Sequence, residues 1–344
     1  MTNNSDLKNT TSCYVWMRLK EYLHYRGLSE SIYLKGEEEG ACFIADELRY
    51  SVNAIDEVLT NASDQLNDDL VGLKSGMHFQ SLKFGLYHAL LGQIENVEKS
   101  VELAIRYLPL ETQGIRLAVK PQQNHCELII IPVAEGLSRL QLENLISQIY
   151  CRLIKTEPSW TKIQFGYAVK NPEKYKKLLG CETEFNKEYT AILFDNKVMC
   201  RDLGWRDQLI FTTLERLAKK RLARLYSYTS VIDEVKFLTR QQVLSRSVGL
   251  AGAARFLGVS ERRLQKMLYE EGSNYREIVG QVKGELTLEL LNHTRMSAPQ
   301  IAEQLGFEEL SSFYRFFKRA TGINVSRSRM KKSLPAELDP AEHV

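Results

Sequence analysis

No long apolar run occurs in these 344 residues: the longest uninterrupted one covers residues 128–134, far short of the roughly 20 residues that span a bilayer. No membrane contact is therefore expected. Residues 1–11 are polar, with no charged start leading into an apolar core, so no secretion signal is read there and a cytoplasmic location is expected. Six cysteines (Cys13, Cys42, Cys126, Cys151, Cys181 and Cys200) include no C-x-x-C, and only His125 stands beside one of them. Adjacent residues make a poor metal pair, so reduced, mostly buried thiols and no metal are expected. The six histidines never form H-E-x-x-H, and G-x-S-x-G, G-x-G-x-x-G and G-x-x-x-x-G-K-[ST] are all missing. Each of those spacings carries a specific chemistry. Triads assembled from distant residues leave no local trace, so an enzyme with a helical accessory domain stays as the weakest alternative. No catalytic residue and no cofactor are expected.

What is present reads as a folded, soluble chain. The apolar fraction is 44% and the charged fraction 26%, both average for globular proteins, and the length suits two domains. The formal charge of +3 is unevenly placed. Residues 245–332 hold 15 Lys/Arg against 9 Asp/Glu, the last 12 residues carry three acids, and residues 1–244 sum to zero. A local surplus of positive charge is the footprint of a surface that meets phosphates, and also of many ordinary solvated faces.

Texture changes along the chain. Residues 41–59 repeat apolar side chains at three- and four-residue steps and predict a helix, as do residues 82–108, with a break near Gln93 and an end before Pro109. Residues 114–119, 127–132, 162–169 and 189–194 are short and rich in Ile, Val, Tyr and Phe, and predict strands around a helix at 139–154. That order argues for an α+β domain with a largely antiparallel sheet. After Arg201 the pattern is helical, with a helix at 207–225 carrying Lys219, Lys220, Arg221 and Arg224, read as a solvated face. A junction is placed at residues 226–230.

Two stretches share one pattern. A helix-turn-helix needs a small residue where its helices cross, a turn residue that tolerates a left-handed backbone, and apolar packing. Ala254, Gly258 and Leu264 supply these in the first stretch, with Ala253, Leu257, Val259, Met267 and Leu268 as further core and Ser260 as N-cap. The outward face then shows Arg262, Arg263, Gln265, Lys266 and Tyr269. Arg and Lys bond guanine, Gln bonds adenine, and a helix fits the major groove. The second stretch repeats the arrangement with Ala302 and Gly306, and with Phe313, Phe316 and Phe317 as packing; its outward face offers Ser311, Ser312, Tyr314, Arg315, Lys318 and Arg319. The turn glycines stand 48 residues apart, and an amphipathic segment at 275–292 links the two units. Eighteen helical residues extend about 27 Å, close to the roughly 34 Å between major-groove openings on one face of a duplex.

These residues resemble the AraC/XylS family of bacterial transcription regulators over residues 229–332. The resemblance rests on Ala254-Ala-Arg-Phe-Leu-Gly-Val-Ser260 with Leu264, on Glu271-Gly272, and on Ile301-Ala-Glu-Gln-Leu-Gly-Phe307 with Phe313, Phe316-Phe-Lys-Arg319 and Gly322. By position, it implies base reading by Arg262, Gln265 and Lys266 and by Ser311, Ser312 and Arg315. Arg263, Tyr269, Tyr314, Lys318 and Arg319 are then expected at the DNA backbone. Val325 stands where a proline is usual and Ser328 where an aromatic is usual, so a shorter or looser last helix is expected. Residues 69–203 also resemble, more weakly, the arabinose-binding-type N-terminal domain of regulators similar to those of ornithine catabolism, through Asp69-Leu-Val-Gly-Leu-Lys74, residues 85–110 and Thr190-Ala-Ile-Leu-Phe-Asp195.

The expected architecture is an α+β effector or dimerisation domain at 1–225, then an all-α DNA-binding domain at 229–332 with two helix-turn-helix units joined by a long helix, and a flexible acidic tail at 333–344. Recognition helices are placed at 261–271 and 311–320. The expected function is a sequence-specific, effector-responsive regulator, more an activator than a repressor, homodimeric and nucleoid-associated. Its expected partners are promoter DNA, RNA polymerase and a small molecule of unknown identity. A repressor or an architectural DNA-binding protein without a small-molecule ligand remains the alternative.

Overall fold

A computed structural model of the chain describes residues 10–29, 41–44, 47–78, 85–134, 136–153, 161–204, 206–226, 230–245, 249–257, 259–322 and 325. The chain divides into two compact units between Ser230 and Val231.

The first unit opens with β1 (Thr10–Ser12), α1 (Cys13–Tyr25), β2 (Ala41–Ile44), β3 (Glu47–Ser51), α2 (Val52–Leu66), α3 (Val71–His78), α4 (Leu86–Leu91) and α5 (Val97–Glu111). It continues through β4 (Ile115–Pro121), β5 (His125–Pro132), α6 (Arg139–Leu153), β6 (Thr161–Gln164), α7 (Pro172–Leu179), β7 (Glu182–Glu184), β8 (Thr190–Asp195), α8 (Asn196–Met199) and α9 (Gln208–Leu225). Its main sheet has the order β4-β5-β8-β6-β7. Every neighbouring pair is antiparallel except β6 with β7, so the α+β architecture expected of this region is the one observed. Leu128 faces Ile192 across the central pair, and the apolar run at 128–131 is fully buried.

A helix over residues 41–59 does not form as expected. Residues 41–44 and 47–51 are instead the antiparallel strands β2 and β3 of a small sheet ordered β1-β3-β2, and the helix begins only at Val52. Two features choose the strand. Ser51 Oγ accepts the Ala54 N–H at 3.1 Å and caps α2 there. Upstream, extended β3 carries Arg49 between β1 and the end of α5, where its guanidinium donates to Thr10 Oγ1 (2.8 Å) and to the carbonyls of Leu110 (3.0 Å) and Pro109 (3.1 Å).

The same clamp explains a second difference. The break near Gln93 is present, between Gly92 and the N-cap Asn96, but α5 then runs through Pro109 to Glu111 rather than stopping before it. A proline inside a helix removes one N–H and pushes on the carbonyl four residues earlier, here that of Ile105, and Arg49 holds the segment beyond it by donating to the Pro109 and Leu110 carbonyls. Helices α3 and α7 and strand β7 were not foreseen, and the third strand ends at Gln164 rather than Val169. In α3, Gly72 and Gly76 bring the backbone onto α6 so closely that a Cβ at either position would collide with the Leu140 carbonyl or with Ser147 Oγ.

Trp16, Leu19 and Leu23 of α1 pack on Ile55, Val58 and Leu59 of α2 to form the helical part of this core. Trp16 and Tyr50 stack with ring centroids 4.4 Å apart. Cys126, Cys151 and Cys181 are buried thiols, Cys13 is half-buried, and Cys200 is exposed. Among the described residues no helix is long and apolar enough to cross a membrane.

The second unit contains α10 (Val231–Leu244), α11 (Leu250–Leu257), α12 (Glu261–Glu270), α13 (Tyr275–His293), α14 (Ala298–Gln304) and α15 (Leu310–Thr321), with no strand among its described residues.

Candidate nucleic-acid interface

Helices α11 and α12 form the first hairpin. Ala253 and Ala254 are buried at the crossing, and Leu264 and Leu268 are fully buried beneath α12. Ser260 Oγ accepts the Arg263 N–H at 3.3 Å and starts α12 at Glu261. Because its buried positions recur every four residues, one stripe of α12 is fixed inward and the rest must face water. On that outer face Arg262, Arg263, Gln265 and Lys266 are all exposed. Tyr269 is 81% exposed, unusual for so large an apolar ring. Met267, expected inward, is half-buried, and the expected turn glycine Gly258 lies outside the described residues.

The second hairpin, α14 and α15, is built alike. Ser297 and Gln300 form a reciprocal capping box at the start of α14. Ile301 and Ala302 are buried at the crossing. Gly306 takes φ +73° at the turn, a left-handed conformation that L side chains rarely adopt. Phe307 packs against Phe313 and Phe316 with centroids at 5.5 and 5.1 Å, and Phe313 and Phe317 are fully buried. Outward, Ser311, Tyr314, Arg315, Lys318 and Arg319 are exposed, while Ser312 is half-buried and lies 3.4 Å from the Arg315 guanidinium. Every residue expected on these outward faces is exposed except Ser312, and α12 and α15 lie within a residue or two of the helices expected at 261–271 and 311–320.

Between the hairpins runs α13, whose 19 residues extend about 28 Å. Its ties to its neighbours were not visible in the sequence. Arg240 of α10 donates to Glu285 at 2.9 Å and pairs with Glu289, holding α10 along α13. Glu271, just past α12, accepts the Val231 and Ile232 N–H groups at 3.0 and 3.1 Å. That carboxylate satisfies orphan donors at the positive end of α10. Lys283 lies 4.5 Å from the centroid of the Phe307 ring, and burial pulls its ammonium below the usual lysine range. The linking helix is thus pinned to α10 by ion pairs and to the second hairpin by a cation over an aromatic face.

Val325, standing in the place of a usual proline, is buried. Residues 326–344, including Ser328 and the acidic tail, lie outside the described residues. The basic residues Lys219, Lys220, Arg221 and Arg224 sit on α9 of the first unit, with Lys219 paired to Glu215 at 3.5 Å.

Comparison with known proteins fits this geometry. Residues 253–331 match the family described as a helix-turn-helix domain, and residues 44–203 match the arabinose-binding domain of AraC transcription regulators, N-terminal. The HTH-type transcriptional regulator VqsM of Pseudomonas aeruginosa is 32% identical over 275 residues, which cover 75% of this chain and 83% of that one. The ornithine utilization regulator of the same organism is 22% identical over 284 residues, covering 80% and 82%. Among solved structures, the transcriptional regulator CdpR from Pseudomonas aeruginosa aligns with a TM-score of 0.49 at 20% identity, over 92% of this chain and 98% of that chain.

Proposed function

Because the chain belongs to the AraC family of helix-turn-helix transcription regulators, we propose that α12 and α15 enter successive major grooves on one face of a promoter. The chain is a DNA-binding transcription regulator. The observation that carries the finer reading is the pair of exposed faces on α12 and α15, joined through α13, whose own length is about 28 Å. In it Arg262, Gln265, Lys266, Ser311, Ser312 and Arg315 read base edges, and Arg263, Tyr269, Tyr314, Lys318 and Arg319 hold the phosphate backbone.

The first unit, in this reading, responds to a small effector and dimerises, and the protein activates transcription by contacting RNA polymerase. Support for the dimer comes from α9, where Leu209 (77%), Ile210 (46%) and Leu217 (48%) lie exposed within a sector of about 100°. A helix with such a stripe facing water is suited to a symmetric partner.

The test is affinity selection of sheared genomic DNA by the purified full-length protein at about 0.15 M salt, where phosphate attraction alone is weakened. Enrichment of a motif with two contact blocks about one helical turn apart is the expected result. On the enriched duplex, Arg262→Ala is expected to cost about 1–3 kcal/mol and relax preference at one base pair, whereas Lys318→Ala weakens all sequences alike. Selection of no motif, or equal losses for Arg262→Ala on specific and random duplexes, would refute base reading by α12.

A further inference from the structure

The first unit contains a small, open-mouthed cavity lined from β1, α1, α2, the C-terminal end of α5, the start of β4 and α6. One side is apolar, from residues such as Leu19, Ile55, Leu59 and Leu145; the other is polar, with Glu111, Asn144 and Gln148 among its lining. Two chains of contacts determine what the polar side can offer an incoming molecule.

The first chain begins at a backbone carbonyl. Ser75 Oγ donates to Gly72 O at 2.9 Å, so it must accept from Asn144 Nδ2, which lies 2.7 Å away. Asn144 therefore turns its Oδ1 toward Gln148, whose Nε2 donates to it at 2.6 Å. Each bond fixes the sense of the next, and the last atom in line is Gln148 Oε1, which is buried and has no hydrogen-bond partner. A buried acceptor left bare is destabilising, and native interiors rarely contain one.

The second chain closes the charge. Glu111 is ion-paired with Arg18, both side chains being almost wholly buried. His88, held neutral by burial and by the nearby Arg18 and Arg152 guanidinium groups, places Nε2 3.2 Å from Glu111 Oε1. The carboxylate lining the cavity thus has its counter-charge already, and an ammonium or carboxylate brought inside would be a further charge without one.

We propose that this cavity is the effector site and that it takes a small, neutral molecule with an apolar body and one hydrogen-bond-donating hydroxyl, which seats on Gln148 Oε1. The inference rests on the reading of the first unit as effector-responsive, and it specifies the ligand chemistry. A sugar-like polyol is disfavoured, because hydroxyls turned toward the apolar wall would be buried without partners.

The test uses four probes, three of them sharing one ring: cyclohexanol, cyclohexylamine, cyclohexanecarboxylate and a pentose, each titrated against the full-length protein by ligand-observed NMR. Saturable binding of cyclohexanol, at least tenfold tighter than that of the other three, is expected. Gln148→Leu, which removes the acceptor and keeps the size, is expected to weaken it about tenfold. Leu145→Trp, which fills the cavity, is expected to abolish it, and thermal melts of both variants establish that they fold. Absence of saturable cyclohexanol binding, equal binding of an ionic probe or the pentose, or undiminished binding by Gln148→Leu overturns the proposal. Duplex affinity measured on the same samples separates the two readings. Sequence-specific DNA binding without alcohol binding sinks the cavity proposal and leaves the regulator standing, whereas alcohol binding that leaves DNA affinity and promoter output unchanged sinks the effector role.

Discussion

Replacing Glu143 by Gln is expected to flatten the pH dependence of stability of the first unit. Glu143 sits on α6 with no exposed surface, and its Oε1 accepts from Tyr175 OH at 2.8 Å and Tyr167 OH at 3.0 Å, while Oε2 is buried without a partner. Burial raises its pKa from the ordinary 4.5 to about 7, against the opposing pull of the two hydroxyls and Arg139, and Asp69 adds a small push upward. The folded state therefore holds its proton more tightly than the unfolded chain. Such a group contributes stability that is fully present below the unfolded value and is lost as pH rises through the folded one. Between about pH 4.5 and pH 7, at 1.36 kcal/mol per pH unit, the loss is about 3 kcal/mol. Glu143→Gln keeps the acceptor for both tyrosines and carries no proton to lose. All three tryptophans, Trp16, Trp160 and Trp205, lie before residue 230, so intrinsic fluorescence reports this unit selectively during urea unfolding. At pH 4.5 the variant should be equal to or slightly less stable than the parent, because its amide N–H₂ replaces the bare oxygen. By pH 8 the difference should have moved in the variant's favour by about 3 kcal/mol. Stability curves that stay parallel from pH 4.5 to pH 8 would show that Glu143 does not titrate in this window and refute the reasoning.

Arg49→Met should lower the stability of the first unit by about 3–5 kcal/mol, because the guanidinium's bonds to Thr10 and to the last carbonyls of α5 have no substitute; an unchanged thermal midpoint by tryptophan fluorescence contradicts this. Phe313→Ala removes a fully buried ring from the second hairpin and should cost about 3–5 kcal/mol, read as a lower melting temperature by circular dichroism together with loss of duplex binding. Gly306→Ala places a Cβ at φ +73° and should cost about 1–2 kcal/mol, with Arg262-dependent base preference retained because the outward faces are untouched; loss of that preference would show that the turn does more than reverse the chain.

The second unit was readable in advance because a helix-turn-helix is local. The small crossing residue, the turn glycine and the inward apolar residues of α14 and α15 lie within Ala302 to Phe317, so one short window holds all that positions the outward face. The sheet was readable for a related reason: a stretch such as 128–131 has too many consecutive branched residues for a half-exposed strand or a surface helix, and it lies fully buried in the centre of the sheet. Residues 41–59 misled because apolar residues at steps of three and four also satisfy two short strands followed by a helix. What decided between them was the cap at Ser51 and the destination of Arg49, which lies 60 residues further along the chain.

That last case marks where local reading stops. Arg49, Arg18, Glu143 and Glu271 are ordinary charged letters in the sequence, and charged residues are expected at the surface. Three of them are nonetheless buried, and each is made tolerable by groups far away: Arg18 by Glu111, Glu143 by Tyr167 and Tyr175, Arg49 by the end of α5. Glu271 stays exposed but spends its carboxylate on the first turn of α10, 40 residues earlier. The exposed faces of α12 and α15 obey the opposite logic, their polar side chains meeting close neighbours on the same helix, such as Lys266 with Glu270 and Arg315 with Ser312. Periodicity finds such residues, because it asks only which side faces out. The buried charges answer to contacts that no spacing encodes, and it is those contacts that hold the helices and sheets of the first unit together.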